Sequence, residues 1–169
     1  MAKIAIFPGS FDPFTKGHLA TVARSAELFD QLIVTVMTNT SKQALFTPSE
    51  RVALIQDATA EWDNVRVQAH AGALTVDIAH ELHAQYIVRG LRNAADYTFE
   101  NEIALANAKL APDIVTVLLP TRAEQQGIAS SIVKEVATFG GDVSQFVTPN
   151  VALALREKMG AANDKTQNE

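Results

Sequence analysis

Five short apolar runs rich in valine and isoleucine alternate with segments of helical spacing along this 169-residue chain. The run Leu32–Met37 is apolar almost throughout, as is typical of a strand covered on both faces. Strands that alternate with helices predict a parallel sheet, because each crossover carries the chain back along the sheet. We therefore expect an α/β fold: a five-stranded, parallel, doubly wound, Rossmann-like sheet with flanking helices and a C-terminal helix. The runs begin at Ile4, Leu32, Val65, Tyr86 and Ile114.

Capping signals indicate where several helices begin. Thr47-Pro48-Ser49-Glu50 is a capping box with proline at the first helical position. Ser130 begins a helix that Gly140-Gly141 ends, and Thr148-Pro149 begins the last one. Residues beyond 159 are polar and rich in glycine and asparagine, so we expect one domain over 1–159 and a flexible polar tail over 160–169.

Composition narrows the class of protein. The net charge of −5 disfavours a general nucleic-acid surface, which would be basic, but it leaves room for a nucleotide site. The chain has no cysteine, which excludes disulfides, thiolate zinc sites and cysteine nucleophiles. No apolar run reaches the ~18 residues of a membrane span, and no signal peptide is evident at the start. We expect a cytoplasmic protein with no nucleic-acid or membrane partner.

The most informative polar segment runs from Gly9 to His18, between the first strand and the first helix. Backbone N–H groups and the positive end of a helix dipole converge at such a junction, which favours phosphate binding. Gly9 allows close backbone approach, Ser10 offers a hydroxyl, and His18 lies about one turn inside the helix. The segment is neither a Walker P-loop nor a Gly-x-Gly-x-x-Gly fingerprint. The alternative interpretation is that Thr15 only caps the helix and His18 only packs.

Three further polar clusters follow strands, where a doubly wound sheet binds its ligands. Lys42 follows the second strand, Arg89-Gly90-Leu91-Arg92 follows the fourth, and Ser130-Ser131 follows the fifth. Arginines suit bidentate phosphate contacts, and Ser-Ser at a helix start is a capping signal that also supplies a helix N-terminus. Together the clusters predict a site for a polyphosphate and a second phosphorylated substrate.

Other titratable residues carry no comparable pattern. His80 and His83 lie three apart on a short helix, but no further ligand set accompanies them, so we predict a solvated face and no protein metal site.

The motifs together resemble those of a known family. The Gly9–His18 segment is similar to the Thr-x-Gly-His form of the nucleotidyltransferase signature of adenylyl- and cytidylyltransferases, the α/β-phosphodiesterase superfamily. The wider pattern resembles bacterial phosphopantetheine adenylyltransferases and extends to about residue 158. It is carried by Asn39–Lys42, Phe46–Arg51, Arg89–Arg92, Asp96-Tyr97, Ser130–Val136 and Gly140–Val143.

This resemblance implies transfer of the adenylyl group of ATP to 4′-phosphopantetheine, giving 3′-dephospho-coenzyme A and pyrophosphate, with Mg²⁺, in a cytoplasmic homohexamer. It implies that His18, Lys42 and Arg92 act in catalysis. It implies substrate contacts from Ser10, Lys42, Leu74, Thr75, Arg89 and Asn107. It implies ATP contacts from Ser10, Phe11, His18, Gly90, Leu91, Arg92, Glu100, Gln125, Gln126, Gly127, Ile128, Ala129, Ser130 and Ser131.

One loop departs from the family pattern. Relatives often carry Ile-Ser-Ser-Ser where this chain reads Ile128-Ala129-Ser130-Ser131, and Gly127 adds backbone freedom, so we expect a looser adenine side. Two alternatives stay open: a sister nucleotidyltransferase with another phosphorylated acceptor, such as nicotinamide mononucleotide or glycerol 3-phosphate, and a non-catalytic nucleotide-binding protein.

Overall fold

The computed structural model describes residues 2–38, 44–121 and 129–166. Its five strands are β1 (Ile4–Gly9), β2 (Gln31–Thr38), β3 (Val65–Ala71), β4 (Tyr86–Leu91) and β5 (Val115–Pro120). Its six helices are α1 (Lys16–Leu28), α2 (Pro48–Ala58), α3 (Thr75–Glu81), α4 (Ala94–Leu110), α5 (Ser130–Thr138) and α6 (Pro149–Thr166). None of the helices in these ranges is both long and apolar enough to cross a bilayer.

The strands form one sheet in the order β3-β2-β1-β4-β5, and every neighbouring pair is parallel. The predicted five-stranded parallel α/β sheet is confirmed. The chain order reverses between β1 and β4, so the carboxyl ends of these two strands flank the switch point at which open α/β sheets bind ligands.

Alternate strand residues supply the cores on the two faces of the sheet. Ala5 and Phe7 of β1 point to one face and pack with Val22 of α1 and Ile55 of α2. Ile6 points to the other face, with Ile78 of α3. The central strand is thus buried on both sides, which explains its continuous apolar sequence.

A third apolar cluster lies beside the sheet. Phe46 packs there with Val133 of α5 and with Val151 and Leu155 of α6. Helix α6 continues to Thr166, so residues 160–166 are helical where the sequence suggested a tail. The single domain over 1–159 stays a prediction.

Several strands are longer than their apolar runs. Arg89, Gly90 and Leu91 belong to β4, where the sequence placed them after it. Polar residues continue a strand here because neighbouring strands pair with them: Arg89 is opposite Leu118, and Gly90 is opposite Leu119. The strand therefore carries Arg89 directly to the carboxyl edge of the sheet.

Candidate active site

A cavity of ≈ 370 Å³ opens at the carboxyl ends of β1 and β4. It collects nine of the residues that the sequence singled out, from four separate segments of the chain. They are Ser10, Phe11, His18, Arg89, Gly90, Arg92, Glu100, Ala129 and Ser130. The cavity thus lies at the switch point of the sheet, where the sequence placed a phosphate site.

The other predicted residues fall into two groups. The first group lies outside the described residues: Lys42, Gln125, Gln126, Gly127 and Ile128. The predicted looser adenine side of the site falls in the same loop and lies outside them too. The second group is described but does not line the cavity: Leu74, Thr75, Leu91, Asn107 and Ser131. Their ligand contacts stay predictions.

His18 completes a capping box at the start of α1. The Thr15 hydroxyl accepts a hydrogen bond from the His18 backbone N–H, and the Thr15 backbone N–H donates to His18 Nδ1 at 3.0 Å. A backbone N–H can only donate, so Nδ1 is the acceptor and the neutral ring carries its proton on Nε2. The capping contact therefore fixes which ring nitrogen of His18 can donate a hydrogen bond.

Aromatic rings and positive charges keep the His18 ring neutral. The ring stacks on Phe14 at a centroid distance of 5.6 Å and meets Phe11 edge-on at 5.1 Å. Desolvation, followed by the charges of Arg92 and Arg89, lowers the pKa of His18 from 6.5 to about 4. At neutral pH this residue is an N–H donor and not a charged acid.

Gly9 fits a close contact with Phe11. A Cβ added at Gly9 would lie 2.7 Å from the Phe11 ring, which is buried and cannot easily move away. Phe11 itself has a φ of 49°, which is uncommon for a bulky residue. Such strained backbone persists only where the surrounding structure holds it in place, and it is often found at functional sites.

The two cavity arginines are each held by a carboxylate on α4. Arg89 donates to both oxygens of Glu100, at 2.5 and 2.7 Å, and to the carbonyl of Pro8 at 2.9 Å. Arg92 forms a two-pronged ion pair with Asp96, whose pKa is lowered chiefly by that side-chain hydrogen bond. Three of the five N–H groups of Arg89 are thus committed, and the other two have no partner among residues 2–38, 44–121 and 129–166.

The pairing of Arg89 with Glu100 was not predicted from the sequence. The sequence placed Glu100 at ATP and Arg89 at the second substrate, without linking them. The structure makes Glu100 the group that orients Arg89, because its carboxylate is buried against the guanidinium. A hydrogen bond between residues on different elements leaves no mark in local sequence pattern.

Helix α5 points its N-terminus at the cavity, and no side chain of the described residues caps it. Its N-cap is Ala129, with no side-chain capping bond, and the Ser130 hydroxyl donates instead to the carbonyl of Pro13 at 2.8 Å. The sequence indicated that Ser130 and Ser131 cap this helix, and that interpretation is wrong. First-turn N–H groups lack partners within a helix, so this end can receive an anion.

Two buried charged residues were missed as site components. Asp12 is 6% exposed, and Arg51 is 4% exposed. Arg51 donates to the carbonyl of Ser10 at 2.7 Å, while Asp12 accepts from the backbone of Leu45 and Phe46. For Asp12 the available signal was its place between apolar neighbours in Phe11-Asp12-Pro13; Arg51 follows Glu50 and carries no such signal.

The described residues do not build a magnesium cage. No group of three or more His, Asp or Glu side chains comes together among them, and both carboxylates of the cavity are engaged by arginine. Magnesium bound to nucleotides usually takes most of its ligands from phosphates and water, so the cavity fits the ion only as part of a nucleotide complex.

Known proteins share this sequence and fold. The sequence pattern of the cytidylyltransferase-like family matches residues 6–136. The chain is 50% identical over 161 residues to phosphopantetheine adenylyltransferase from Lacticaseibacillus paracasei. The aligned residues cover 95% of this chain and 96% of that protein. The chain is also 50% identical over 157 residues to the enzyme of the same name from Lactobacillus helveticus, with 93% and 96% covered.

A solved structure shares the fold. It is a Vibrio parahaemolyticus protein assigned as a nicotinate-nucleotide adenylyltransferase, with a TM-score of 0.68, 21% identity, and coverage of 94% of this chain and 95% of that one. The match to the family pattern, together with 50% identity to the Lacticaseibacillus paracasei and Lactobacillus helveticus enzymes over nearly the whole chain, shows where this protein belongs. It is a member of the cytidylyltransferase-like family, among the phosphopantetheine adenylyltransferases.

Proposed function

We propose that this protein transfers the adenylyl group of ATP to 4′-phosphopantetheine, forming 3′-dephospho-coenzyme A and pyrophosphate in coenzyme A synthesis. The observation that carries the proposal is the cavity at the switch point, where a neutral His18 donor and two oriented arginines meet the N-terminus of α5, which the described part of the chain leaves without a side-chain cap. The relatives with half of their residues identical carry the same activity in their names.

The reaction needs no protein nucleophile. An oxygen of the phosphopantetheine phosphate forms a bond to the α-phosphorus of ATP, and the bond from that phosphorus to the bridging oxygen of pyrophosphate breaks. The acceptor is already anionic, so the protein has to hold two repelling anions in line and stabilise the charge that develops on the α-phosphate.

His18 is the group we assign to the transferring phosphate. Its Nε2–H is fixed in direction by the Thr15 contact, and its neutral ring spends no proton in the reaction. Arg92 would add a charged donor through the guanidinium edge that Asp96 leaves open. Donors placed in advance typically account for about 10²–10³ in rate each.

We assign the two substrates to opposite sides of this donor set. ATP would contact Ser10, Phe11, Gly90, Leu91, Glu100 and the loop over 125–131. Phosphopantetheine would place its phosphate at Ser10, Lys42 and Arg89, and its arm along Leu74, Thr75 and Asn107. One observation supports the arm: Asn107 is buried on α4, and its side-chain N–H₂ has no partner among the described residues.

Magnesium would enter bound to the phosphate oxygens of ATP, where it shields their negative charge. We also propose a cytoplasmic homohexamer. The exposed apolar residues on α4 and β5 support assembly, because an isolated subunit would leave them in water. They include Tyr97, Phe99, Leu105, Leu110 and Val115.

The test is a pyrophosphate-release assay with purified protein, MgATP and 4′-phosphopantetheine. We expect pyrophosphate and dephospho-coenzyme A to form in equal amounts. Turnover only with nicotinamide mononucleotide, or only with glycerol 3-phosphate and CTP, would instead identify a sister enzyme. ATP binding without turnover on any acceptor would identify a nucleotide-binding protein.

A further inference from the structure

Asp12 lies directly beside the cavity residues in sequence, yet its side chain points elsewhere. It is not among the residues that line the cavity, and it is 6% exposed. One carboxylate oxygen accepts from the backbone N–H of Phe46 at 2.9 Å. The other accepts from Leu45 N–H at 2.9 Å and from Lys134 Nζ at 3.0 Å.

These contacts join three segments that are far apart in sequence. Asp12 belongs to the loop between β1 and α1, which supplies Ser10 and leads into the first turn of α1, where His18 lies. Leu45 and Phe46 lead into α2, and Lys134 lies on α5, whose N-terminus borders the cavity. The Ser130 hydroxyl ties the same loop to α5 a second time, through Pro13. A single carboxylate thus fixes how two walls of the site face each other.

The charge of Asp12 is satisfied by these partners. Burial alone would raise the pKa of Asp12, but hydrogen bonds from Leu45 and Phe46 and the ammonium of Lys134 outweigh it and lower the pKa. Without Lys134 a buried carboxylate would stand beside a site for phosphates with no described cation paired to it. Such an unpaired charge is costly and would push the loop away from its position.

We infer that Asp12 is a positioning residue for the phosphate-transfer site, and that Lys134 is the counter-ion that keeps it in place. Together they set the position of the β1–α1 loop and the first turn of α1 against the N-terminus of α5. The inference rests on the proposed function for its kinetic consequence. Its geometric consequence, the protection of the Leu45 and Phe46 amides, is independent of that function.

The experiment compares Lys134→Met with Lys158→Met as a matched control. The Lys158 side chain is about as exposed as that of Lys134, and it pairs at 2.8 Å with Glu50, a more exposed carboxylate than Asp12. Its ammonium also lies 5.8 Å from the centre of the Phe46 ring, so the comparison uses kcat and the Leu45 amide rather than the Phe46 amide. We expect Lys134→Met to lower kcat by about 10-fold or more, since a misplacement near 1 Å can cost ~10²-fold. Lys134→Arg should recover most of the loss, and Lys158→Met should leave kcat unchanged.

Hydrogen exchange of the Leu45 amide, which shares one Asp12 oxygen with Lys134, provides the second readout. We expect faster exchange in Lys134→Met, and in Asp12→Asn, which loses acceptor capacity, than in Lys158→Met. Equal exchange and equal kcat in the two lysine variants would overturn the inference, as would a lowered Tm with kcat unchanged. If the wild-type protein shows no adenylyl transfer, the proposed function is wrong. The positioning role of Asp12 is then tested by comparing ATP affinity and amide exchange among the same variants.

Discussion

His18 serves the helix and the cavity through one contact. The hydrogen bond from Thr15 N–H to Nδ1 fills the place that Glu or Gln usually takes in a capping box, and it also leaves Nε2 protonated toward the cavity. The residue that completes the N-terminal capping box of α1 is therefore the residue that we assign to the α-phosphate. Because the two roles use different ring atoms, a suitable substitution can separate them.

His18→Gln is that substitution. Glutamine can keep the capping contact, so we expect the free energy of unfolding to stay within about 1 kcal/mol of wild type. The directed Nε2–H donor is lost, so kcat should fall by about 10²–10³. Urea unfolding and pyrophosphate release measure the two effects. Near-normal turnover in a folded His18→Gln protein would remove His18 from the mechanism.

The low pKa of His18 predicts a pH-dependent stability. Its folded pKa is about 4 and its ordinary value is 6.5, so between these values the unfolded chain binds a proton that the folded chain does not. Stability from this residue is therefore present above pH 6.5 and is lost as the pH falls toward 4. We expect the unfolding free energy of wild type relative to His18→Gln to decline over that window. A constant difference would mean that the folded ring titrates normally.

At the scale of elements, α2 is docked by Arg51. Its guanidinium donates to the carbonyl of Ser10 at 2.7 Å, and more weakly to Met37 at the end of β2 and to Thr47. No carboxylate accepts from it among the described residues, so backbone carbonyls alone satisfy this buried cation. The helix, the second strand and the Ser10 loop are joined at this one side chain.

Arg51→Met should therefore destabilise the fold. Arg51 is 4% exposed, and truncation removes its hydrogen bonds to the Ser10, Met37 and Thr47 carbonyls, a loss that typically costs about 1–3 kcal/mol. The control is Arg66→Met on β3, where the side chain is exposed and the effect should stay within about 0.5 kcal/mol. Urea unfolding of both variants measures the difference. Equal stability of the two would show that Arg51 does not dock α2.

The sequence predicted the elements better than the contacts between them. The five strands and the Thr47–Glu50 capping box could be predicted because periodicity and capping are local signals. The pairing of Arg89 with Glu100 could not, since those residues meet only once β4 and α4 are packed together. The role of Ser130 was misjudged for the same reason: its hydroxyl finds the carbonyl of Pro13, far away in sequence.

At the scale of the whole molecule, α4 is exposed to an unusual degree. Only Glu100 and Asn107 are buried along its 17 residues, and both are polar. Leu105 and Leu110 are 58% and 61% exposed, and Val115 lies exposed on the edge strand β5. A helix with this pattern is typical of one that packs against another subunit.

The proposed hexamer predicts a solution mass six times the 18.2 kDa of the chain, measured by light scattering. Leu105→Glu should shift the protein to smaller species, because a charge would be buried at the interface. Leu28→Glu is the matched control, with a leucine that is 53% exposed on α1. An 18.2 kDa species for the wild type would contradict the assembly.

The paired arginines determine how ligands first approach the molecule. With His18 neutral, the cavity residues Arg89, Arg92, Asp96 and Glu100 contribute no net charge among the described lining, and the chain as a whole carries −5. The net charge of the chain then repels anions at long range, so the encounter rate with an anionic substrate should rise as salt screens that repulsion. Selection would occur after contact, through hydrogen-bond geometry, and unrelated anions would gain little residence in the cavity.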